Sequence, residues 1–297
     1  MTTRRFALAV IALAIAIPAR HAHAQTVVSM LGTDIKNSVG DAWDVWTSPL
    51  RGHASDWLLA GGSLAVSAAV SPADPAVDRW AVRNQNSSAF DFLEPIREGG
   101  VAFSGKTITP VALGALAIGL ATKNERLQDG LFGCLTAYAA SSVVRNYVMY
   151  PLVARTRPDS GRSTESPPAK NGDQYKFDFP GSSNWGEHSF PGGHVANVAA
   201  CAEFLTRRFS MGIAEPLPWI VVGGVALSRT LDRRHWASDQ VIGTIFGYAV
   251  GKEVALRSSR RAAKAKARVG ETVDDRGTLF LSPDPTGALR LGWRKAF

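Results

Sequence analysis

Apolar stretches recur along this chain at about 57–70, 110–121, 131–154, 194–206, 217–228 and 237–256, most of them closed by Pro, Gly or a charged residue. They are rich in Ala, Leu, Val and Gly, and the pattern predicts helices packed on one another. Several run for only about 11–15 residues, short of the roughly 20 that a membrane span requires. The stretch 131–154 is long enough, but Arg145 interrupts it. Residues 25–56 are mixed in character, with Trp43 and Trp46 close to an SPLR turn. No internal repeat is visible.

Two regions break the helical pattern. Residues 159–190, DSGRSTESPPAKNGDQYKFDFPGSSNWGEHSF, are polar and carry Pro, Gly and Ser throughout. They predict a long loop, and a loop of that length inside a compact domain is often functional. At the far end, TLFLS precedes a PDPTG turn, after which Leu289, Leu291 and Trp293 alternate with Arg290, Gly292 and Arg294. That period of two predicts a small β-hairpin. Before it lies RSSRRAAKAKAR, residues 257–268, with six basic residues. A solvated helix end favoured by the helix dipole is its plain reading. Contact with anionic lipid headgroups is the functional alternative.

The N-terminus has a separate logic. Arg4 and Arg5 precede the apolar run 6–17, and Ala22-His23-Ala24 forms an A-x-A cleavage signal. Residues 1–24 are therefore expected to be a signal peptide, with the mature chain starting at Gln25 and working outside the cytoplasm, in the periplasm or envelope. Its removal takes away Arg4, Arg5 and Arg20 and no acid, which lowers the formal charge from +8 to +5. That modest basic excess suits an anionic substrate or an anionic membrane surface. It is diffuse and lacks interleaved aromatic residues, so no nucleic-acid partner is expected. Hydrophobic residues make up 45%, ordinary for a globular chain, and the mean hydropathy of −0.02 is low for a polytopic membrane protein. Cys134 and Cys201 both lie in apolar stretches. Two buried free thiols are the expected state, although an exported protein could join them. No Cys or His spacing suggests zinc, and no metal or cofactor is expected.

The polar chemistry gathers in three short motifs. In SRTLDRRHWASDQ, residues 228–240, His235 and Asp239 are four apart and share a helical face. A carboxylate there could accept a hydrogen bond from one imidazole N–H, which fixes the tautomer and leaves the other nitrogen's lone pair free to attack. In SFPGGHVANVAA, residues 189–200, Gly192 and Gly193 precede His194 at the mouth of an apolar helix. Two glycines let backbone N–H groups approach an anion, and His194 could donate a proton there. In RTRPDSGR, residues 155–162, Arg157 precedes Pro158, and a guanidinium fixed at that turn could clamp phosphate oxygens. Asp232 could suggest a metal, but a lone acid among arginines is usually ion-paired.

Taken in order, Arg-Pro, then Pro-x-Gly-His, then Ser-Arg, five residues, His, three residues and Asp, this set resembles the type 2 phosphatidic acid phosphatase and vanadium haloperoxidase superfamily. The likeness spans about 150–240 at motif level. Ser228, Arg229, His235 and Asp239 match the third motif, Pro191, Gly193 and His194 the second, and Arg157 and Pro158 the first. Two positions depart: Gly192 stands where the family usually has Ser, and Tyr150 stands where it has Lys.

The resemblance implies an all-α fold, a helical bundle of the type 2 phosphatidic acid phosphatase kind, here with the C-terminal β-hairpin added. The expected organisation is a leader at 1–24, an N-terminal helical region at 25–109, a phosphatase core at 110–256, and the basic stretch and hairpin at 257–297. The resemblance also implies a metal-independent phosphatase. His235 is its nucleophile and forms a phosphohistidine, Asp239 orients it, and His194 protonates the leaving alcohol and then activates water. Arg157, Arg229 and the Gly192-Gly193 backbone hold the phosphoryl oxygens. The substrate class is a phosphate ester, either a free phosphomonoester or a lipid-linked phosphate, with membrane-surface contact for the latter. A vanadate-dependent haloperoxidase, or a catalytically weak envelope protein that binds a partner, are the alternative classes. Tyr150 is expected near the phosphate as a neutral donor, which leaves the pocket one charge short. Arg155 is expected to point elsewhere. If residue 150 lay outside the site, Arg145 or Arg155 would be the candidates for the missing cation.

Overall fold

The computed structural model describes residues 27–96, 125–160, 165–178, 188–274, 278–283 and 289–294. The expected leader, the apolar stretch 110–121 and parts of the loop 159–190 lie outside the described residues. Among the described residues, eight α-helices follow one another: α1 (Val27–Thr47), α2 (Ala54–Val70), α3 (Asp74–Asn84), α4 (Glu125–Val144), α5 (Tyr150–Val153), α6 (Gly193–Arg208), α7 (Leu217–Leu231) and α8 (Ala237–Asp274). Between α4 and α5, Arg145–Met149 form a π-helical turn. The apolar stretches at 57–70, 131–154, 194–206, 217–228 and 237–256 all fall on helices. Helix α3, DPAVDRWAVRN, has no apolar stripe to reveal it, because Asp74 and Asp78 lie on its buried side. No helix among the described residues is long and apolar enough to cross a membrane.

The chain forms two compact units, divided between Ala255 and Leu256. In the first, α6 is the central helix, and α4 and α7 both pack against it. Ala42 and Val45 of α1, Ala137 and Ala140 of α4, Ala200 and Phe204 of α6, and Val250, Val254 and Ala255 of α8 form one buried cluster. Small residues dominate it, so the helix axes come close. The backbones of α6 and α8 also approach closely. A Cβ added at Gly243, Gly247 or Gly251 would lie 2.5, 2.1 or 2.2 Å from the carbonyl oxygen of Gly192, Ala196 or Ala200. The four-residue spacing puts these glycines on one face of α8. That stripe lays the start of α8, which carries Asp239, directly on the start of α6, which carries His194.

Cys134 of α4 and Cys201 of α6 form a disulfide, where the sequence predicts two free thiols. Their apolar surroundings predicted burial, but only the packing of α4 on α6 brings the two Cα atoms to 4.5 Å. That separation lies within the narrow range a disulfide can bridge.

The described parts of the loop 159–190 are pinned to the helices. Asp78 of α3 accepts from the Ala169 N–H (2.8 Å) and from the Arg233 guanidinium (2.8 Å). Arg233 is fully buried and also donates to the carbonyls of Pro158, Ser166 and Pro167. Its backbone is left-handed, with φ 55°, as the chain turns from α7 into α8. Arg233 is thus a strut that holds the loop beside His235.

The second unit, Leu256–Phe297, contains the end of α8 and two strands, β1 (Thr278–Pro283) and β2 (Leu289–Arg294). They pair antiparallel, with Leu279 opposite Trp293 and Leu281 opposite Leu291. The PDPTG turn expected between them lies largely outside the described residues.

Candidate functional site

His235 sits in the turn between α7 and α8 and is 1% exposed. Its Nδ1 lies 2.6 Å from the carbonyl oxygen of Ser189. A carbonyl only accepts, so the proton is on Nδ1 and the lone pair is on Nε2. Nε2 is buried and has no hydrogen-bond partner. Such atoms are rare in folded proteins, because losing water without a replacement bond is unfavourable. Burial, aided by Arg157 and His194, holds the imidazole well below its usual pKa. His235 is therefore neutral at physiological pH, with the electron pair of Nε2 not engaged in a hydrogen bond.

The carboxylate of Asp239 does not hold the ring directly, as the sequence leads one to expect. It accepts from the Ser189 hydroxyl (2.5 Å), the Trp236 N–H (3.0 Å) and Arg155 (2.5 Å). The i, i+4 pairing assumes that both residues lie on the helix. His235 precedes the first residue of α8, Ala237, and its ring turns toward the loop. Asp239 therefore acts one step removed. It fixes Ser189 by the side chain, and Ser189 fixes His235 by the main chain. Burial pushes the Asp239 carboxyl up, against the pull of Arg155, Ser189 and the Trp236 N–H.

Arg155, which reads as pointing away from the phosphate, is the hub behind this arrangement. It donates to Asp239, to the Ser238 hydroxyl (2.8 Å), to Asp74 (2.8 Å) and to the Gln174 carbonyl (2.8 Å). Asp74 in turn accepts from the Ser238 N–H (2.9 Å). Ser189 lies inside the quoted histidine motif, but its role depends on the fold. Nothing in the sequence links Asp74 to a site so distant along the chain.

Across from His235, α6 begins at Gly193. The first N–H groups of a helix have no intrahelical acceptor and carry the positive end of its dipole. The His194 ring lies 6.2 Å from that of His235, centroid to centroid, at 62°. Gly192 explains its own departure from Ser. A Cβ there would lie 2.7 Å from Gln240 Oε1 and 2.8 Å from the Asp239 carbonyl. The close approach of α8 thus leaves no room for a hydroxymethyl group, while the Gly192 N–H is spent on Asp239 O at 2.8 Å. Gly193 remains as the backbone donor at the mouth.

Four arginines surround this mouth. Burial pushes the His194 imidazole down to about 3, and Arg229, Arg145, Arg157 and Arg234 push the same way, in that order. Arg157 is buried and donates to the His188 carbonyl at 3.4 Å. Arg229 is buried and pairs with Asp232 at 3.3 Å, which accounts for that acid without a metal. Arg234 lies at the rim, paired with Asp159 at 3.0 Å. Tyr150 is buried, its ring stacked on His188 at 4.8 Å. Burial raises its hydroxyl pKa against the pull of Arg145 and Arg157, so it stays a neutral donor. The structure thus gathers His235, His194, Gly192, Gly193, Arg157, Arg229 and Tyr150 around one mouth, with Asp239 behind them. No group of three or more His, Cys, Asp or Glu side chains suited to a metal occurs among the described residues.

The depressed His194 has a measurable consequence. An anion entering between the arginines offsets their charge and raises the His194 pKa. Between about 3 and that raised value, the empty site is unprotonated and the filled site protonated. Vanadate binding near pH 6 should therefore take up protons, and His194→Asn should reduce the uptake. Calorimetry in buffers of different ionisation enthalpy reads it directly. Equal uptake in both proteins would remove His194 from the anion's surroundings.

Residues 130–262 match the PAP2 superfamily. The lipid A 1-phosphatase of Porphyromonas gingivalis is 32% identical over 88 residues, a match that covers 28% of this chain and 19% of the relative. The matched segment thus spans about a fifth of that relative's length. Among solved structures, a transmembrane PAP2 type phosphatidylglycerolphosphate phosphatase from Bacillus subtilis is 17% identical. It has a TM-score of 0.44, over 69% of this chain and 94% of that one.

Proposed function

We propose that this chain, whose residues 130–262 match the PAP2 superfamily, is a metal-independent phosphatase acting on a lipid-linked phosphomonoester in the cell envelope. The observation that carries the proposal is the buried, unpartnered Nε2 of His235, set opposite a helix N-terminus and flanked by guanidiniums. An anion fits this arrangement, and a nucleophilic nitrogen has no structural use there.

In the proposed mechanism the phosphoryl group binds at the mouth of α6. The Gly193 N–H, Arg157 and Arg229 hold its oxygens. His235 Nε2 attacks phosphorus in line as the bond to the ester oxygen breaks. His194, protonated once the anion has entered, gives its proton to the departing alcohol. It then takes a proton from water, whose oxygen attacks the phosphohistidine. The P–N bond breaks and inorganic phosphate leaves. Positioning and fixed charge supply most of the catalysis in such a transfer. His194 serves as acid and then as base, so it must be charged in the first step and neutral in the second.

Two observations support a lipid-linked substrate in the envelope. Tyr147, Val148 and Leu152 are exposed on the short segment that also carries Tyr150 into the mouth, an apolar rim suited to a hydrocarbon leaving group. The Cys134–Cys201 disulfide suits an oxidising compartment, as does the expected leader at 1–24. The test is phosphate release by the purified protein from lipid phosphates dispersed in detergent and from soluble phosphomonoesters. Faster release from the lipid phosphates is expected. Release confined to soluble esters would overturn the substrate class, and bromide oxidation by the vanadate-loaded protein without phosphate release would overturn the reaction.

A further inference from the structure

The π-helical turn at Arg145–Met149 has no role so far, and it lies beside the mouth of the site. In a regular α-helix, residues five apart point about 140° away from each other. One π turn closes that gap, because residue i+5 bonds back to residue i. Here the Tyr150 N–H donates to the Arg145 carbonyl. The two side chains consequently project to the same place. A Cβ added at Gly193 would lie 2.6 Å from Arg145 Nη1 and 2.6 Å from the Tyr150 hydroxyl. The Arg145 guanidinium also lies over the Tyr150 ring, 5.6 Å from its centroid.

The other contacts of Arg145 leave its charge unmatched among the described residues. Nη1 donates to the Gly193 carbonyl at 2.6 Å, and Nε donates to the Asn146 side chain at 3.2 Å. Both acceptors are neutral. Arg155, Arg233 and Arg234 each have a carboxylate partner, and the ion pairs found among the described residues include none for Arg145. An arginine held against the first residue of α6 with no counter-ion is placed for an anion that arrives from solution.

We propose that Arg145 is a phosphate-binding residue of this site, delivered by the π turn, and that it acts together with the neutral Tyr150 hydroxyl on the same phosphoryl group. The inference rests on the phosphatase reading and deepens it. The expected shortage of one charge at residue 150 does not arise, because the charge enters from residue 145. With Arg145, Arg157 and Arg229 converging, the cradle suits a dianionic terminal phosphate, and it should select a monoester over a monoanionic diester. The Gly193 carbonyl bond has a second effect. It keeps Arg145 fixed before the substrate arrives, so little side-chain freedom is lost on binding.

The test uses orthovanadate binding to the intact protein, which needs the anion site but not turnover. Arg145→Ala should weaken vanadate at least tenfold and lower kcat/KM for a phosphomonoester by a larger factor, with circular dichroism unchanged. The diagnostic variant is Arg145→Ala combined with Tyr150→Lys. Both side chains reach the same point at Gly193, so an ammonium from 150 should recover most of the lost vanadate affinity. In the wild-type background, Tyr150→Lys should give no gain, since two cations would then crowd one point. A residue that only braced the Gly193 carbonyl would not be rescued by a lysine at 150. Unchanged vanadate affinity in Arg145→Ala, or absence of rescue in the double variant, overturns the assignment of Arg145. Failure of the wild-type protein to bind vanadate or phosphate at all overturns the phosphatase reading beneath it.

Discussion

Replacing His235 by alanine will abolish turnover, with kcat falling by on the order of a millionfold, the scale found when a covalent nucleophile is removed. The reasoning starts from the tautomer. Ser189 O holds the Nδ1 proton at 2.6 Å, which leaves the attacking pair at Nε2, buried and without a partner. No described side chain offers a second nucleophile in that position. His194 is 6.2 Å away and serves the leaving group. The folded state should survive the change: the lost Ser189 hydrogen bond and the space left by the ring are offset in part by removal of the unsatisfied Nε2, so stability should fall by only about 1–2 kcal/mol. Loss of activity in a protein that is still folded, read by circular dichroism, is the expected pair of results. Near-normal phosphate release by His235→Ala would move the nucleophile elsewhere.

Arg155→Met will have the largest effect on stability, about 3–5 kcal/mol, the range for breaking a buried ion pair from one side. Arg155 side-chain exposure is 4%, and Asp74 and Asp239 are at 0%. Removing the guanidinium leaves two carboxylates together in a dry interior. Their remaining donors, Ser238, Ser189 and the Trp236 N–H, are neutral. Methionine fills much of the same volume, so the loss reports charge more than packing. Total stability is about 5–15 kcal/mol for a typical domain, so this single change could consume a third or more of it. Asp74→Asn in the same chain should restore part of the loss by removing one uncompensated charge, a coupling that a double-mutant cycle measures. The readout is the urea midpoint. A loss below about 1 kcal/mol in Arg155→Met, or no coupling to Asp74, would mean that the triad does not hold the start of α8.

Much of this arrangement was legible in the sequence, and the reasons differ from residue to residue. Helices α6, α7 and the start of α8 announce themselves because apolar runs bounded by Gly, Pro and charge allow few other folds. His194, His235 and Arg229 stand at or beside helix ends and Arg157 at an Arg-Pro turn, where local pattern and motif agree, and the structure brings them together. Asp239 was found for the right reason of proximity but with the wrong contact. Spacing along an ideal helix cannot show that the chain has not yet entered the helix at His235. Arg145 appeared only as a break in an apolar run and as a fallback cation. A π turn shifts the face by one residue and leaves no sequence signal. The pairs Asp74–Arg155 and Asp78–Arg233 were invisible because their members meet only through tertiary packing, and α3 carries acids where a core-facing helix would carry leucines. The disulfide was misjudged for the same reason: two cysteines in apolar runs show burial, not mutual distance.

The central claim is that phosphate passes through the His235 ring. The most direct measurement mixes the purified protein with a phosphorus-32-labelled phosphomonoester, quenches in alkali within the first turnover and maps the labelled peptide. The expected result is one phosphate per active site on the peptide that contains His235, stable in alkali, lost in mild acid and absent from His235→Ala. Label that appears only as free phosphate, or on another residue, in a protein that turns over normally would contradict it.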